Sequence, residues 1–341
     1  MDLAALKKTA QAMVAKGKGI LAIDESHSTC KKRFDALGID CSEENRRQYR
    51  QLLVTAAGIE EALSGMILFD ETLRQKTDNG VPFSKVLADK GILPGIKVDA
   101  GAKPLAMHAG EQVTEGLDGL RERLAEYKTL GAKFAKWRAV ITIGKDMPSD
   151  ACLHANAHAL ARYAALCQEA DIVPMVEPEI LLDGDHTIET CYKVSVKTWK
   201  KLFEAMEDQG VALEGCILKT SMILSGKDCK KQADLDEIAK MTIKGLKEGV
   251  PKNVAGVVFL SGGQGDQEAT ERLNRMNQLG GMPWPLSFSY GRSIQRPALD
   301  MWAKDMSKVK QAQEALTERA KLNGLAAMGK YSVDMEHTNV V

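Results

Sequence analysis

Short apolar runs alternate with long stretches of helical period along the whole chain. Continuous apolar runs bounded by turn residues predict buried strands, and a period of 3.6 predicts amphipathic helices. After a first helix, strands are predicted at 19–24, 65–70, 95–99, 134–143, 172–180, 213–219, 254–261 and 286–290. Between them the pattern predicts helices over about 42–63, 82–90, 117–130, 149–170, 187–208, 235–247 and 267–279, with helical segments after the eighth strand through about Lys330.

Strands alternating with helices imply βαβ units and a parallel sheet. About eight such units, in a domain a little above the usual ~250 residues, predict an α/β fold of the (β/α)₈ TIM-barrel type. A doubly wound sheet is the competitor, but it places a glycine-rich turn after its first strand. Here Asp24-Glu25-Ser26-His27 follows instead. The expected organisation is one barrel domain over 1–330 with an N-terminal helix, then a mobile, polar, aperiodic tail over 331–341.

The predicted strand ends carry charge. Asp24 closes the first strand, Asp70 the second, and Lys97 and Asp99 the third. Lys136 and Arg138 lie on the fourth, Glu177 and Glu179 on the fifth, and Lys219 closes the sixth. Serines follow at Ser261 and Ser289, with Arg292 beyond the eighth. A single such charge is ordinarily solvated or ion-paired, and Asp70 and Glu179 read most simply that way. A barrel needs no ring of charge at one mouth to fold, and its active site sits at the C-terminal ends of its strands.

Lys219 is the most informative member. A lysine ending an apolar strand is costly unless something pairs with it. Burial and neighbouring cations favour the neutral amine, which can form a Schiff base with a carbonyl substrate. If Lys136, Glu177 and Lys219 point inward, they place a cation beside the nucleophile and a carboxylate within reach for proton transfer.

A second signal is anion binding. Ser261-Gly262-Gly263 follows the seventh strand and Ser289-Tyr290-Gly291-Arg292 the eighth. Loops after these two strands commonly hold phosphate in barrels, through backbone N–H groups at a helix start. A looser second site is expected at Ser26 and Thr29, with Lys32, Arg33 and Lys97 nearby.

Composition narrows the classes. Lys+Arg and Asp+Glu are 46 each, so net charge favours neither nucleic acid nor an anionic membrane as partner. No apolar run approaches the roughly 20 residues of a membrane helix. Seven dispersed cysteines without a C-x-x-C pair argue against a disulfide framework or zinc site and for reduced thiols. The expected location is cytoplasmic, with an organelle lumen after transit-peptide removal as the alternative. The scattered histidines, including His154 and His158 one helical turn apart, supply no metal cluster.

At these residues the chain resembles class I fructose-1,6-bisphosphate aldolases, the metal-independent Schiff-base family. The resemblance runs through Gly17-Lys18-Gly19-Ile20-Leu21-Ala22 to Asp24-Glu25-Ser26, Glu43-Glu44-Asn45-Arg46-Arg47, Gly95-Ile96-Lys97-Val98-Asp99 and Phe134-Ala135-Lys136-Trp137-Arg138. It continues through Val176-Glu177-Pro178-Glu179, Leu218-Lys219, Leu260-Ser261-Gly262-Gly263-Gln264 and Phe288-Ser289-Tyr290-Gly291-Arg292. It implies reversible cleavage of fructose 1,6-bisphosphate to dihydroxyacetone phosphate and glyceraldehyde 3-phosphate, with no cofactor and no metal. It implies Lys219 as the Schiff-base lysine, Glu177 as the acid/base of carbinolamine dehydration and Asp24 as acceptor of the C4-hydroxyl proton. Lys136 then assists near the imine, and Arg138 binds phosphate or substrate. Ser261, Gly262, Gly291 and Arg292 hold the C1 phosphate, and Ser26, Lys97 and Arg33 meet the C6 phosphate. A homotetramer is the family's usual assembly. A non-catalytic sugar-phosphate-binding barrel is the alternative from another class, and a metal-dependent aldolase or isomerase is a third reading.

The chain departs from the family pattern in three places. Ser26-His27-Ser28-Thr29 stands where Ser-Thr-Gly-Ser is frequent, and Thr220-Ser221-Met222 follows Lys219 where Pro-Asn-Met is frequent. The sequence ends Asn339-Val340-Val341 where many members end in tyrosine, so a tail-tyrosine step is expected to be absent or served otherwise.

Overall fold

Eight parallel strands close into a barrel in the computed structural model, which describes residues 1–337. We number them β1 (Gly19–Ile23), β2 (Leu63–Leu68), β3 (Leu93–Lys97), β4 (Phe134–Ile141), β5 (Val173–Ile180), β6 (Ile217–Thr220), β7 (Gly256–Phe259) and β8 (Leu286–Tyr290). Around the ring they run β1-β8-β7-β6-β5-β4-β3-β2, so β8 closes on β1. Both faces of these strands are covered, which is why they read as unbroken apolar runs.

Inside the barrel, Ile20, Ala22, Ile67, Phe134, Val173, Met175, Ile217 and Val258 form one cluster. Leu6, Ala10, Met13 and Val14 join it from the first helix, Leu3–Met13, and its end. Ser64, near the start of β2, donates to the Met13 carbonyl at 2.6 Å. The first helix therefore plugs the N-terminal end of the barrel, and the mouth lies at the other end. A larger apolar cluster fills the space between strands and outer helices, around Trp137, Tyr163, Trp199 and Trp302.

Helix starts follow local chemistry. Ser149 accepts from Cys152 N at 3.1 Å at the head of helix Asp150–Glu169. Asp234 accepts from Glu237 N at 2.8 Å at the head of helix Leu235–Gly249. Such caps satisfy backbone N–H groups that have no partner within the helix.

Three differences from the sequence expectation matter. β2 stops at Leu68, and Asp70 instead opens a short helix, Asp70–Arg74, where it pairs with Arg74 at 3.0 Å. Between β3 and the next helix an antiparallel hairpin appears, Ala102–Pro104 with Gln112–Thr114. The chain from Tyr331 was expected to be a free tail, but Tyr331 is 4% exposed. Its N–H donates to Asn274 at 3.0 Å and its hydroxyl to Glu336 at 2.7 Å. Glu336 in turn pairs with Arg319 at 2.6 Å, so residues 331–336 are tied to the barrel. The expectation for residues 338–341 lies outside the described residues.

Candidate active site

A cavity of about 620 Å³ opens at the C-terminal mouth of the barrel. Eleven of the twelve predicted site residues line it: Asp24, Ser26, Arg33, Lys97, Lys136, Arg138, Glu177, Lys219, Ser261, Gly262 and Gly291. The twelfth, Arg292, is exposed just beyond and reaches toward Gly263. A cavity of about 730 Å³ lies at the opposite end, before β6 and β7, and none of these residues reaches it.

At the floor, four charged groups form a chain. Lys219 Nζ lies 3.1 Å from Glu177 Oε1. Glu177 Oε2 lies 3.4 Å from Lys136 Nζ, which is 2.7 Å from Asp24 Oδ2. Lys219, Lys136 and Glu177 are each buried, at 3–4% exposure. Buried charges of this kind persist only when paired.

Burial alone would raise the Asp24 pKa, but the ammonium groups of Lys136 and Lys219 outweigh it and bring it down to about 2. For Lys136, burial acts to lower the pKa, and the Asp24 and Glu177 carboxylates overcome that and raise it. Asp24 is thus an anion and Lys136 a cation throughout the neutral range.

The outer ring is paired as well. Lys97 Nζ sits 2.7 Å from Asp99 Oδ1, and Asp99 also accepts from the Arg138 and Gly101 N–H groups at 3.2 and 3.1 Å. Arg138 is held by Glu179 and Arg33 by Glu25. Glu25 is buried beside Arg50 at 2.7 Å and accepts from Gln295 Nε2 at 2.7 Å.

On the far wall, Gly262 and Gly263 have φ of +47° and +89°, a conformation that side-chain-bearing residues resist. This turn leads into helix Asp266–Leu279, while Gly291 leads into helix Arg292–Lys304. Two helix starts beside glycine-rich turns suit an anion. Ser289 Oγ faces the same cavity, fully buried and without a hydrogen-bond partner among the described residues. Sequence reasoning noted Ser289 at a strand end but did not place it in the site. Its unsatisfied hydroxyl is visible only once β8 is set beside β1.

This geometry has close relatives. Residues 5–340 match the family model described as fructose-bisphosphate aldolase class-I. The chain belongs to the class I fructose-bisphosphate aldolase family. A protein of Xanthomonas campestris pv. campestris named probable fructose-bisphosphate aldolase class 1 is 62% identical, over 97% of this chain and 99% of its own. Fructose-bisphosphate aldolase C of Carassius auratus is 49% identical, over 96% of this chain and 90% of its own. A solved fructose-bisphosphate aldolase from Plasmodium falciparum, in complex with TRAP and a small-molecule inhibitor, superposes with a TM-score of 0.95. It is 46% identical and the match covers 96% of this chain and 95% of that one. The expected family and the barrel expected from strand alternation therefore both hold for this chain.

Proposed function

We propose that this family member cleaves fructose 1,6-bisphosphate reversibly, through a Schiff base on Lys219. The observation that carries the reading is the buried chain Lys219–Glu177–Lys136–Asp24 at the floor of a cavity with an anion-suited wall.

The C1 phosphate seats on Ser261, Gly262, Gly291 and Arg292, which directs the C2 carbonyl to Lys219. Ser289 donates its free hydroxyl toward the same end of the substrate. Lys219 first passes its ammonium proton to Glu177, 3.1 Å away; the neutral amine attacks C2, and Glu177 returns that proton to the departing hydroxyl as water leaves. The iminium is an electron sink. Asp24 accepts the C4-hydroxyl proton, the C3–C4 bond breaks, and its electron pair enters the enamine. Glyceraldehyde 3-phosphate leaves first. One proton is then delivered to C3 as the one held by Asp24 is released, and water adds to the iminium, which frees dihydroxyacetone phosphate and restores the Lys219 amine. Lys136 keeps Asp24 ionised and balances Glu177. Arg33, Lys97, Ser26 and Arg138 receive the C6 phosphate, each cation exchanging its carboxylate partner for it.

The test is covalent trapping. Incubation with dihydroxyacetone phosphate and borohydride should leave a reduced adduct on Lys219, mapped by mass spectrometry. No adduct there overturns the reading, and activity lost to a chelator would point to a metal enzyme. We further infer a cytoplasmic homotetramer, from family likeness, checked by light scattering and fractionation. Among the described residues no helix is long and apolar enough to cross a membrane.

A further inference from the structure

Six cations line the cavity: Arg33, Lys97, Lys103, Lys136, Arg138 and Lys219. Five of them are paired with the five lining carboxylates: Arg33 with Glu25, Lys97 with Asp99, Lys136 with Asp24 and Glu177, Arg138 with Glu179, and Lys219 with Glu177. Lys103 has no ion-pair partner among the described residues. It is the lining cation whose charge is not already answered.

Its position is fixed. Lys103 sits in the hairpin, opposite Val113. Thr114 Oγ1 donates to the Arg138 carbonyl at 2.7 Å, and Ala100 N donates to the Glu115 carbonyl at 2.8 Å. The hairpin is therefore fastened over β4. In the closed barrel β4 and β8 are separated by three strands in either direction, so Lys103 faces the Gly291–Arg292 wall from across the mouth. Arg292 is likewise exposed and without an ion pair among the described residues. One unanswered cation stands at each end of the cavity, which is the charge pattern a molecule with two anionic ends would meet.

We infer that Lys103 is a specificity-determining residue that captures the phosphate remote from Arg292, and so favours doubly over singly phosphorylated ketoses. The inference rests on the proposed function. A paired arginine or lysine must give up a carboxylate to take a phosphate, whereas Lys103 gives up only water. Being exposed, it acts through a field that salt screens.

The experiment compares wild type, Lys103→Met and Lys103→Arg on fructose 1,6-bisphosphate and fructose 1-phosphate. The ratio of kcat/KM for the bisphosphate to that for the monophosphate should fall about three- to tenfold in Lys103→Met at low ionic strength. Lys103→Arg should restore most of it, and added salt should shrink the difference. A Lys103→Met ratio equal to that of wild type overturns the inference. Borohydride trapping of the wild-type enzyme separates the two levels. An absent Lys219 adduct sinks the proposed function, while a normal adduct with an unaltered ratio sinks only the role of Lys103.

Discussion

Glu177 stands between two ammonium groups, presenting Oε1 to Lys219 at 3.1 Å and Oε2 to Lys136 at 3.4 Å. One carboxylate therefore answers both Lys219 and the cation beside it. Glu177→Gln keeps the shape but removes the anion and the transferable proton. Imine formation should slow by about 10²–10⁴-fold, the usual worth of a positioned acid/base group. The rate of borohydride-trappable adduct formation measures this directly. A variant that forms the adduct at the wild-type rate would remove Glu177 from the dehydration step.

Asp24 carries a pH signature. Its folded pKa is about 2 against an ordinary 3.8. A carboxylate depressed on folding contributes stability that is present above its unfolded pKa and is lost as pH falls through the folded one. The loss should therefore fall between about pH 4 and 2, and for a shift of nearly two units it is about 2 kcal/mol. Urea unfolding across that range should show a shallower decline for Asp24→Asn than for wild type. Parallel declines would mean that Asp24 is not held by Lys136 in solution.

The barrel was legible because strands covered on both faces must be apolar throughout, and because most were predicted to end in a residue too costly to bury without purpose. The predicted ends lie within two residues of the observed ones for most strands, and the charged set apart from Asp70 converged on the mouth. Partner choice was not legible. Whether Lys97 answers Asp99 or an external anion depends on a turn that brings Asp99 back beneath it. The hairpin escaped detection because Ala102-Lys103-Pro104 and Gln112-Val113-Thr114 have no apolar run. Tyr331 read as tail because its partners Asn274 and Arg319–Glu336 come from helices distant in sequence or from residues that looked polar and aperiodic.

Behind the site, Glu25 and Arg50 form a buried pair at 2.7 Å with side-chain exposures of 7% and 3%. Gln295 joins them to β1, donating to the Ala22 carbonyl at 2.6 Å. Removing Glu25 leaves the Arg50 charge buried without its carboxylate, which costs about 3–5 kcal/mol, whereas Glu25 without Arg50 keeps Arg33 and Gln295. Glu25→Gln should lower the unfolding free energy from urea titration by that amount, and Glu25→Gln combined with Arg50→Met should recover part of it. A double variant no more stable than the sum of the singles would show that the pair is not energetically coupled.

Arg292 separates binding from folding. It is exposed at the start of its helix and has no ion pair among the described residues. Surface positions of this kind contribute within about 0.5 kcal/mol to stability. Arg292→Ala should therefore leave the urea midpoint where it is. In the proposed function its guanidinium grips the phosphate seated at Ser261 and Gly291, through two parallel N–H donors. Losing such a charge-assisted contact costs about 1.5–3 kcal/mol, so KM for fructose 1,6-bisphosphate should rise at least tenfold. Arg292→Lys should recover only part of this, because an ammonium cannot reproduce the planar fork. Initial rates over a range of substrate concentration, with unfolding curves on the same samples, decide the matter. An unchanged KM would move the phosphate away from this wall.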